Sequence, residues 1–473
     1  MSAQQLPIND VRPSLGKRVR RAGSWTLFGQ VSTQAIRLIA NVMLARLLAP
    51  DSFGLMSVVY MLTVALALFS DLGIGRSVVQ SRRGTDPDFL DTAWTLQVLR
   101  GCGLAGLTLV IGLCCYAANR LHWAPATTVY ADPRLPWVIC AFAVNAVISS
   151  LESIRINQAR RDVQLQRLTK IEVGSQLASA IVMVWVAWLT RSVWALVFGA
   201  LFSNALRIAL GHLVLSGHRV RPRLEASALK ELMSNGRWIF LSSILGFLAT
   251  NGDRVLLGGL IDANSFGLYA VAILLTSALQ IISSMLSISL AYPAISEVFR
   301  ERPHDLARTI GKFLMGYDAL IVSAAGLLMV AGPAFVHVLY DQRYQDAGWI
   351  LSVLAISPIA MRSQMVEQAY QATGRPELVT LANFIRLVAL VAGIWFGHVF
   401  WGFAGIVYGV ALSPFAAWPL AAAFLVRRNW FTWRGNLVLV PALLGGMFVG
   451  WLVERGIYWI LPAGHSALRK LFQ

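Results

Sequence analysis

From Ser24 onward the chain is a succession of apolar runs of about 20 residues, the length an α-helix needs to cross a bilayer. In hydrocarbon every backbone N–H and C=O must be satisfied within its own segment, so runs of this length read as spanning helices. The mean hydropathy of +0.62 agrees. So does a charged fraction of only 13%, where ordinary globular chains carry about 25%. Thirteen such segments run from 24–48 to 437–453, with no room between them for a sizeable soluble domain. The expected class is an all-α polytopic membrane protein.

The charges orient the chain. Alternate connectors hold 25 lysines and arginines on one side and four (Arg120, Arg134, Arg191, Arg343) on the other. The rich side is expected to be cytoplasmic, which places the N-terminus inside. The net charge of +17 is then spent facing anionic headgroups, and nucleic-acid binding is not needed to explain it. Residues 1–23 are polar and basic, but the run behind them is too long for a signal peptide and contains Arg37, so it reads as a retained first span. The four cysteines lie in apolar stretches without metal or CxxC spacing.

Leu47–Leu55 (LLAPDSFGL) is echoed by Leu260–Leu268 (LIDANSFGL), each closing one apolar segment and opening the next, with Thr63 and Thr276 also in register. Two copies in direct order predict two similar halves packed side by side. The expected organisation is a cytoplasmic N-terminus (1–23), a six-helix lobe (24–215), a basic cytoplasmic linker (216–237), a second six-helix lobe (238–426) and an extra membrane segment (427–473). That gives 12 core helices plus one or two at the C-terminal end. In transporters built from repeats, the substrate site lies at the interface of the halves near the midplane.

Charged side chains at the centre of a span cost about 2.5–3.5 kcal/mol and tend to face the bundle interior or a water-filled cavity. Gln30, Gln34, Arg37 and Asn41 follow spacings of 4, 3 and 4 and share one helical face. Arg37 is a candidate for a cavity role or for packing, with Asp71 as a partner. Arg46 lies nearly opposite and is expected to snorkel to the interface. In the seventh span Thr250 and Arg254 sit four apart, and an offset of 213 places Arg254 on Asn41. Asp253 points away from Arg254. In the tenth span Ser357, Gln364, Gln368 and Gln371 share a face, and Pro358 should break the helix. Asn383 and Arg386 share a face of the next span. Amides suit sugar hydroxyls, which need donors and acceptors, although helix packing uses them equally well. Arg386 and Arg362 are the next arginines to consider. No GxxxxGK[ST], HExxH or GxSxG motif occurs, and no metal or cofactor is called for.

Four segments in order resemble one family. They are Ala45–Leu55, then Phe69–Gly75 with Val78-Val79-Gln80, then Arg161–Val173, and Thr373–Pro376. Together they resemble the polysaccharide-transporter branch of the multidrug, oligosaccharidyl-lipid and polysaccharide flippase superfamily, over roughly residues 20–430. An aromatic is usual where Leu165 stands, and the tail departs from the twelve or fourteen spans common in that family. The resemblance implies two lobes forming a V around a cationic cavity. It also implies passage of a polyprenyl-diphosphate-linked oligosaccharide from the cytoplasmic to the outer leaflet of a bacterial inner membrane. Membrane lipids would be partners, with a polysaccharide polymerase and co-polymerase as further ones. Arg37 and Arg254 would hold the diphosphate, and Gln30, Gln34, Asn41, Thr250, Asp71, Gln364, Gln368, Asn383 and Arg386 would line the site. The rivals are a drug/cation antiporter of the same superfamily, an integral-membrane glycan ligase or polymerase, and a passive scaffold. The excess of arginines over acids in the spans argues for an anionic substrate.

Overall fold

The computed structural model describes residues 15–470, other than 71–73, 75–77, 79–82, 124, 126–127, 162–164, 216, 219, 235–246 and 249–250. Every described regular element is helical. Among the described residues nine helices are long and apolar enough to cross a membrane, and Leu135–Ser150 is a shorter apolar one.

The first set comprises α1 (Leu15–Leu47), α2 (Pro50–Phe69), α3 (Pro87–Arg120), α4 (Leu135–Ser150), α5 (Leu165–Thr190) and α6 (Trp194–Val214). Within it α1 packs on α5, α3 on α4, α5 on α6, and α4 on both α2 and α6. A linker helix, α7 (Ala226–Ser234), lies against α3. The second set begins with helical residues 251–258. It continues with α8 (Ala263–Met285), α9 (Tyr292–Glu301), α10 (Leu306–Tyr317), α11 (Ser323–Leu339), α12 (Ala347–Leu354) and α13 (Ser363–Ala372), then α14 (Pro376–Leu412), α15 (Trp418–Arg427) and α16 (Leu439–Lys470). Helix α14 reverses at Gly402, whose φ of +57° suits a residue without Cβ. The tail is one continuous helix, α16, lying along α11. Its Leu439–Trp459 part is long and apolar enough to cross as a single span, and the helix continues through Pro462 without a turn.

The repeat explains how the two sets meet. Helices α2 and α8 pack closely, and the contact is reciprocal. A Cβ on Gly54 would lie 2.2 Å from the Ala263 carbonyl oxygen, and one on Gly267 would lie 1.8 Å from that of Pro50. Pro50 and Ala263 are equivalent in the repeat, as are Gly54 and Gly267, so each glycine admits the first turn of the other copy's helix. That mutual insertion is what a local two-fold relation between the two copies produces. Phe53 and Phe266, one residue earlier, are both buried in the core that joins the sets.

The second set carries three interruptions that meet. Wide π-type turns occupy Leu286–Ala291 and Asp318–Val322, and the tenth span breaks between α12 and α13, around Pro358. The Tyr317 hydroxyl donates to the Pro358 carbonyl at 2.6 Å and sits 3.1 Å from Ser283 Oγ, so it ties the three together. The Arg362 N–H bonds the Ile359 carbonyl in place of that of Pro358, and the tyrosine takes up the Pro358 carbonyl so left free.

Candidate functional site

The polar stripe of α1 faces the second set of helices. Gln34 is buried and donates to Ser277 Oγ of α8 at 3.2 Å. Asn41 accepts from the Tyr340 hydroxyl at 2.7 Å. Arg37 lies between them on the same face, yet its side chain is exposed, as is that of Gln30 further along. Arg37 is thus uncovered between two contacts that join the sets.

At the C-terminal end of α1 the two sets are held together. Arg343 donates to the Ala45 and Arg46 carbonyls, and Tyr344 donates to the Leu48 carbonyl at 2.9 Å. These take up carbonyls at the C-terminal end of α1, which its own helix leaves free, and the arginine also complements the helix dipole. Val129 and Tyr130 bond the Ile261 and Val255 carbonyls in the same layer. Asn41 belongs to this closure through Tyr340, so its amide oxygen is engaged by protein in this state.

The intramembrane arginines divide by partner. Arg362 forms a forked pair with fully buried Asp318 (2.7 and 3.1 Å) and donates to the Gly435 carbonyl. Arg386 is paired with Glu367 and also reaches Ser363 Oγ and Asn383 Oδ1. Arg207 is paired with Glu152 at 3.0 Å. The charges of Arg362 and Arg386 are thus neutralised within the second set. Asn383 is engaged by Arg386, Gln368 donates to the Gln364 carbonyl of its own helix, and Ser357 bonds the Ala411 carbonyl. The amide-rich face of the tenth span therefore serves its own packing more than an opening. For Arg37 no ion pair or hydrogen bond is found among the described residues. Among the described residues half-buried Arg254 reaches only Asn251 Oδ1, at 3.4 Å, with its charge felt at Tyr269. Asp253 does not pair with Arg254 and instead accepts from the buried Tyr269 hydroxyl at 2.5 Å. Asp71 and Thr250 lie outside the described residues.

Sequence reasoning missed Ser277 of α8 and Tyr340, the partners of Gln34 and Asn41 across the two sets.

With the helices and their polar residues in place, comparison with known proteins becomes informative. A family model described as "Polysaccharide biosynthesis protein" matches residues 43–349, well over half of the chain. The chain belongs to this family. It is 21% identical over 465 residues to the succinoglycan biosynthesis transport protein ExoT of Rhizobium meliloti, covering 93% of this chain and 87% of that protein. Two solved structures share its fold. An inward-facing multidrug resistance transporter of the MATE family superposes with TM-score 0.63 at 13% identity, covering 90% of this chain and 95% of the other. The lipid II flippase MurJ, in an inward closed conformation, gives 0.63 at 12% identity, covering 96% and 99%. The chain is a multi-pass membrane protein of the polysaccharide-transporter kind.

Proposed function

We propose that this protein moves a polyprenyl-diphosphate-linked oligosaccharide repeat unit from the cytoplasmic to the outer leaflet of a bacterial inner membrane, by alternating access between two six-helix lobes. The observation that carries this reading is the division of the arginines. Arg207, Arg362 and Arg386 are matched by carboxylates, whereas Arg37 and Arg254 have no such match among the described residues. A guanidinium left unmatched within the membrane is costly unless a ligand or water completes it. A diphosphate supplies oxygens in the spacing an arginine fork grips. Gln30 and Gln34 beside Arg37 offer donors and acceptors to sugar hydroxyls, and the lipid tail can stay in the bilayer between the lobes.

With the N-terminus cytoplasmic, the layer of Gly54, Gly267, Tyr340 and Tyr344 is an outer gate. On this reading lipid-linked units are loaded from the cytoplasmic side. The name of the relative ExoT and that of the flippase MurJ fit this direction of traffic. A cation antiporter would need a carboxylate free for its substrate. Glu152, Asp318 and Glu367 face arginines and Asp253 a tyrosine, so none of these is free.

The test is polymer export in cells whose own transporter is deleted, with each variant present in the membrane at normal amount. Arg37→Ala and Arg254→Ala should each abolish most export, and Arg37→Lys should retain part of it. Lipid-linked units should accumulate on the cytoplasmic face. Accumulation of translocated but unjoined units would point instead to a ligase or polymerase, and normal export by both alanine variants would assign the arginines a packing role.

A further inference from the structure

Hydrophobic packing divides the second set near the layer of its three interruptions. Along the tenth span the core that joins the two sets ends at Leu354, and a separate buried core begins at Ile359. In α8 the same division falls between Ala272 and Leu279. The second core is built largely from the halves of three spans that lie beyond the interruptions. Ile295 of α9, Ile310 and Leu314 of α10, and Val366 and Ala369 of α13 belong to it, and these three helices pack on one another. Backbone bonding is weakest in the same layer. A π-type turn and a proline break each give up part of the regular ladder that stiffens a helix. Side-chain bonds stand in its place. The Tyr317 hydroxyl gives its single hydrogen to the Pro358 carbonyl and so accepts from Ser283 Oγ. The Trp418 indole donates to the Ala360 carbonyl at 2.8 Å, and Ser287 Oγ reaches Met365 Sδ at 3.7 Å. In the first set, by contrast, α3, α5 and α6 run unbroken for 34, 26 and 21 residues.

We propose that α9, α10 and α13 move as one body about this layer, with Tyr317 as the clasp that holds the present position. The second set then bends instead of tilting rigidly. A single interruption has a local use, as the turn at Asp318 does in bringing that carboxylate to Arg362. Three on neighbouring spans, linked by one hydroxyl where two cores meet, form a hinge. A hinge absorbs its change of angle in a few residues at the ends of elements, and here the bonds that resist it are those of side chains. Bending at this layer swings the far ends of α9, α10 and α13 while the Gly54–Gly267 contact and the Tyr340–Asn41 bond stay made. The two sides of the membrane are then gated separately. This holds whatever the protein carries.

Pulsed electron spin resonance on the purified full-length protein in nanodiscs tests the hinge, with pairs of spin labels in a background whose four cysteines are replaced by alanine. Exposed Asn264 and Gln345 mark the body on the Tyr340 side, and exposed Arg308 and Gln371 the body beyond the layer. Tyr317→Phe removes the clasp hydroxyl alone. It should give the pairs Asn264–Arg308 and Gln345–Gln371 a second distance population that is weak in the wild type. The pairs within each body, Asn264–Gln345 and Arg308–Gln371, should keep the wild-type distance. Ser283→Ala frees only the eighth span and should produce the same second population to a smaller extent. Cross-layer distances that stay single and unchanged in both variants overturn the inference, because the second set would then be rigid. A change in Arg308–Gln371 also overturns it, since the three helices would not be moving together. Should Tyr317→Phe melt early, Ser283→Ala decides the question with the same four pairs.

Discussion

Arg37 and Arg362 are the same side chain under opposite constraints. Arg362 is 11% exposed and bound to a carboxylate with no exposure at all. Removing one member of a buried pair leaves an uncompensated charge, at a cost of about 3–5 kcal/mol, whereas replacing both by apolar groups of similar volume is often neutral. Asp318→Ala should therefore sharply lower thermal stability in detergent and abundance in the membrane, and Asp318→Ala with Arg362→Met should recover most of both. A single variant that melts like wild type would contradict the pairing. Arg37 is exposed and has no ion pair or hydrogen bond among the described residues, so Arg37→Ala should shift stability by no more than about 0.5 kcal/mol while removing transport. Loss of stability comparable to that of Asp318→Ala would make Arg37 a packing residue. These roles could not be separated from sequence. Arg362 and Asp318 are 44 positions apart, and nothing in local spacing announces that a π-type turn brings them together.

Among the elements, the linker shows a similar gap between composition and structure. Its basic residues orient the chain, but its place is set by acceptors on the first turns of α3. Asp91 accepts from His218 at 2.8 Å and from the Arg221 N–H at 2.9 Å, and Thr92 and Thr95 accept from the N–H groups of Glu225 and Arg223. Arg83 joins Asp86 and Glu225 at 2.8 and 2.7 Å, and Ala228 of α7 is buried with Phe89 and Leu90. The hydrogen bond from Arg83 holds Asp86 below the usual carboxylate range, and those from Ser227 and then Arg83 hold Glu225 below it. A carboxylate with a depressed pKa contributes stability above its unfolded value and loses it as pH falls through the folded one. Hydrogen-exchange protection across Ala226–Ser234 should thus be steady from neutral pH down to about 4 and fall below that. Loss of protection already well above about pH 5 would show that these two carboxylates do not govern docking. The spans, the broken tenth helix at Pro358 and the repeat were legible, because apolar length, a proline in a helix and SFGL in register are local signals. The engagement of Gln368, Asn383 and Arg386 with their own lobe was not, since an amide reads the same whether it meets a sugar or a neighbouring helix.

For the molecule as a whole, the reciprocal contact of Gly54 and Gly267 makes the closure between the two sets, the proposed outer gate, depend on two missing side chains. Gly54→Leu or Gly267→Leu cannot fit against the Ala263 and Pro50 carbonyls, so either should shift the protein toward the outward-open arrangement. Spin labels on α2 and α8 should then report longer distances near Pro50 and Ala263, and unchanged distances would show that closure does not rely on the glycines. The central claim is that the opening beside Arg37 carries a lipid diphosphate across the membrane. Its most direct measurement is flipping of a fluorescent polyprenyl-diphosphate oligosaccharide in proteoliposomes of the purified full-length protein, read by an impermeant reagent that sees only the outer leaflet. The account predicts flipping by the wild type, little by Arg37→Ala or Arg254→Ala, and no flipping of a neutral polyprenol glycoside by any of them. Equal movement of the neutral lipid, or undiminished flipping by both arginine variants, would contradict it.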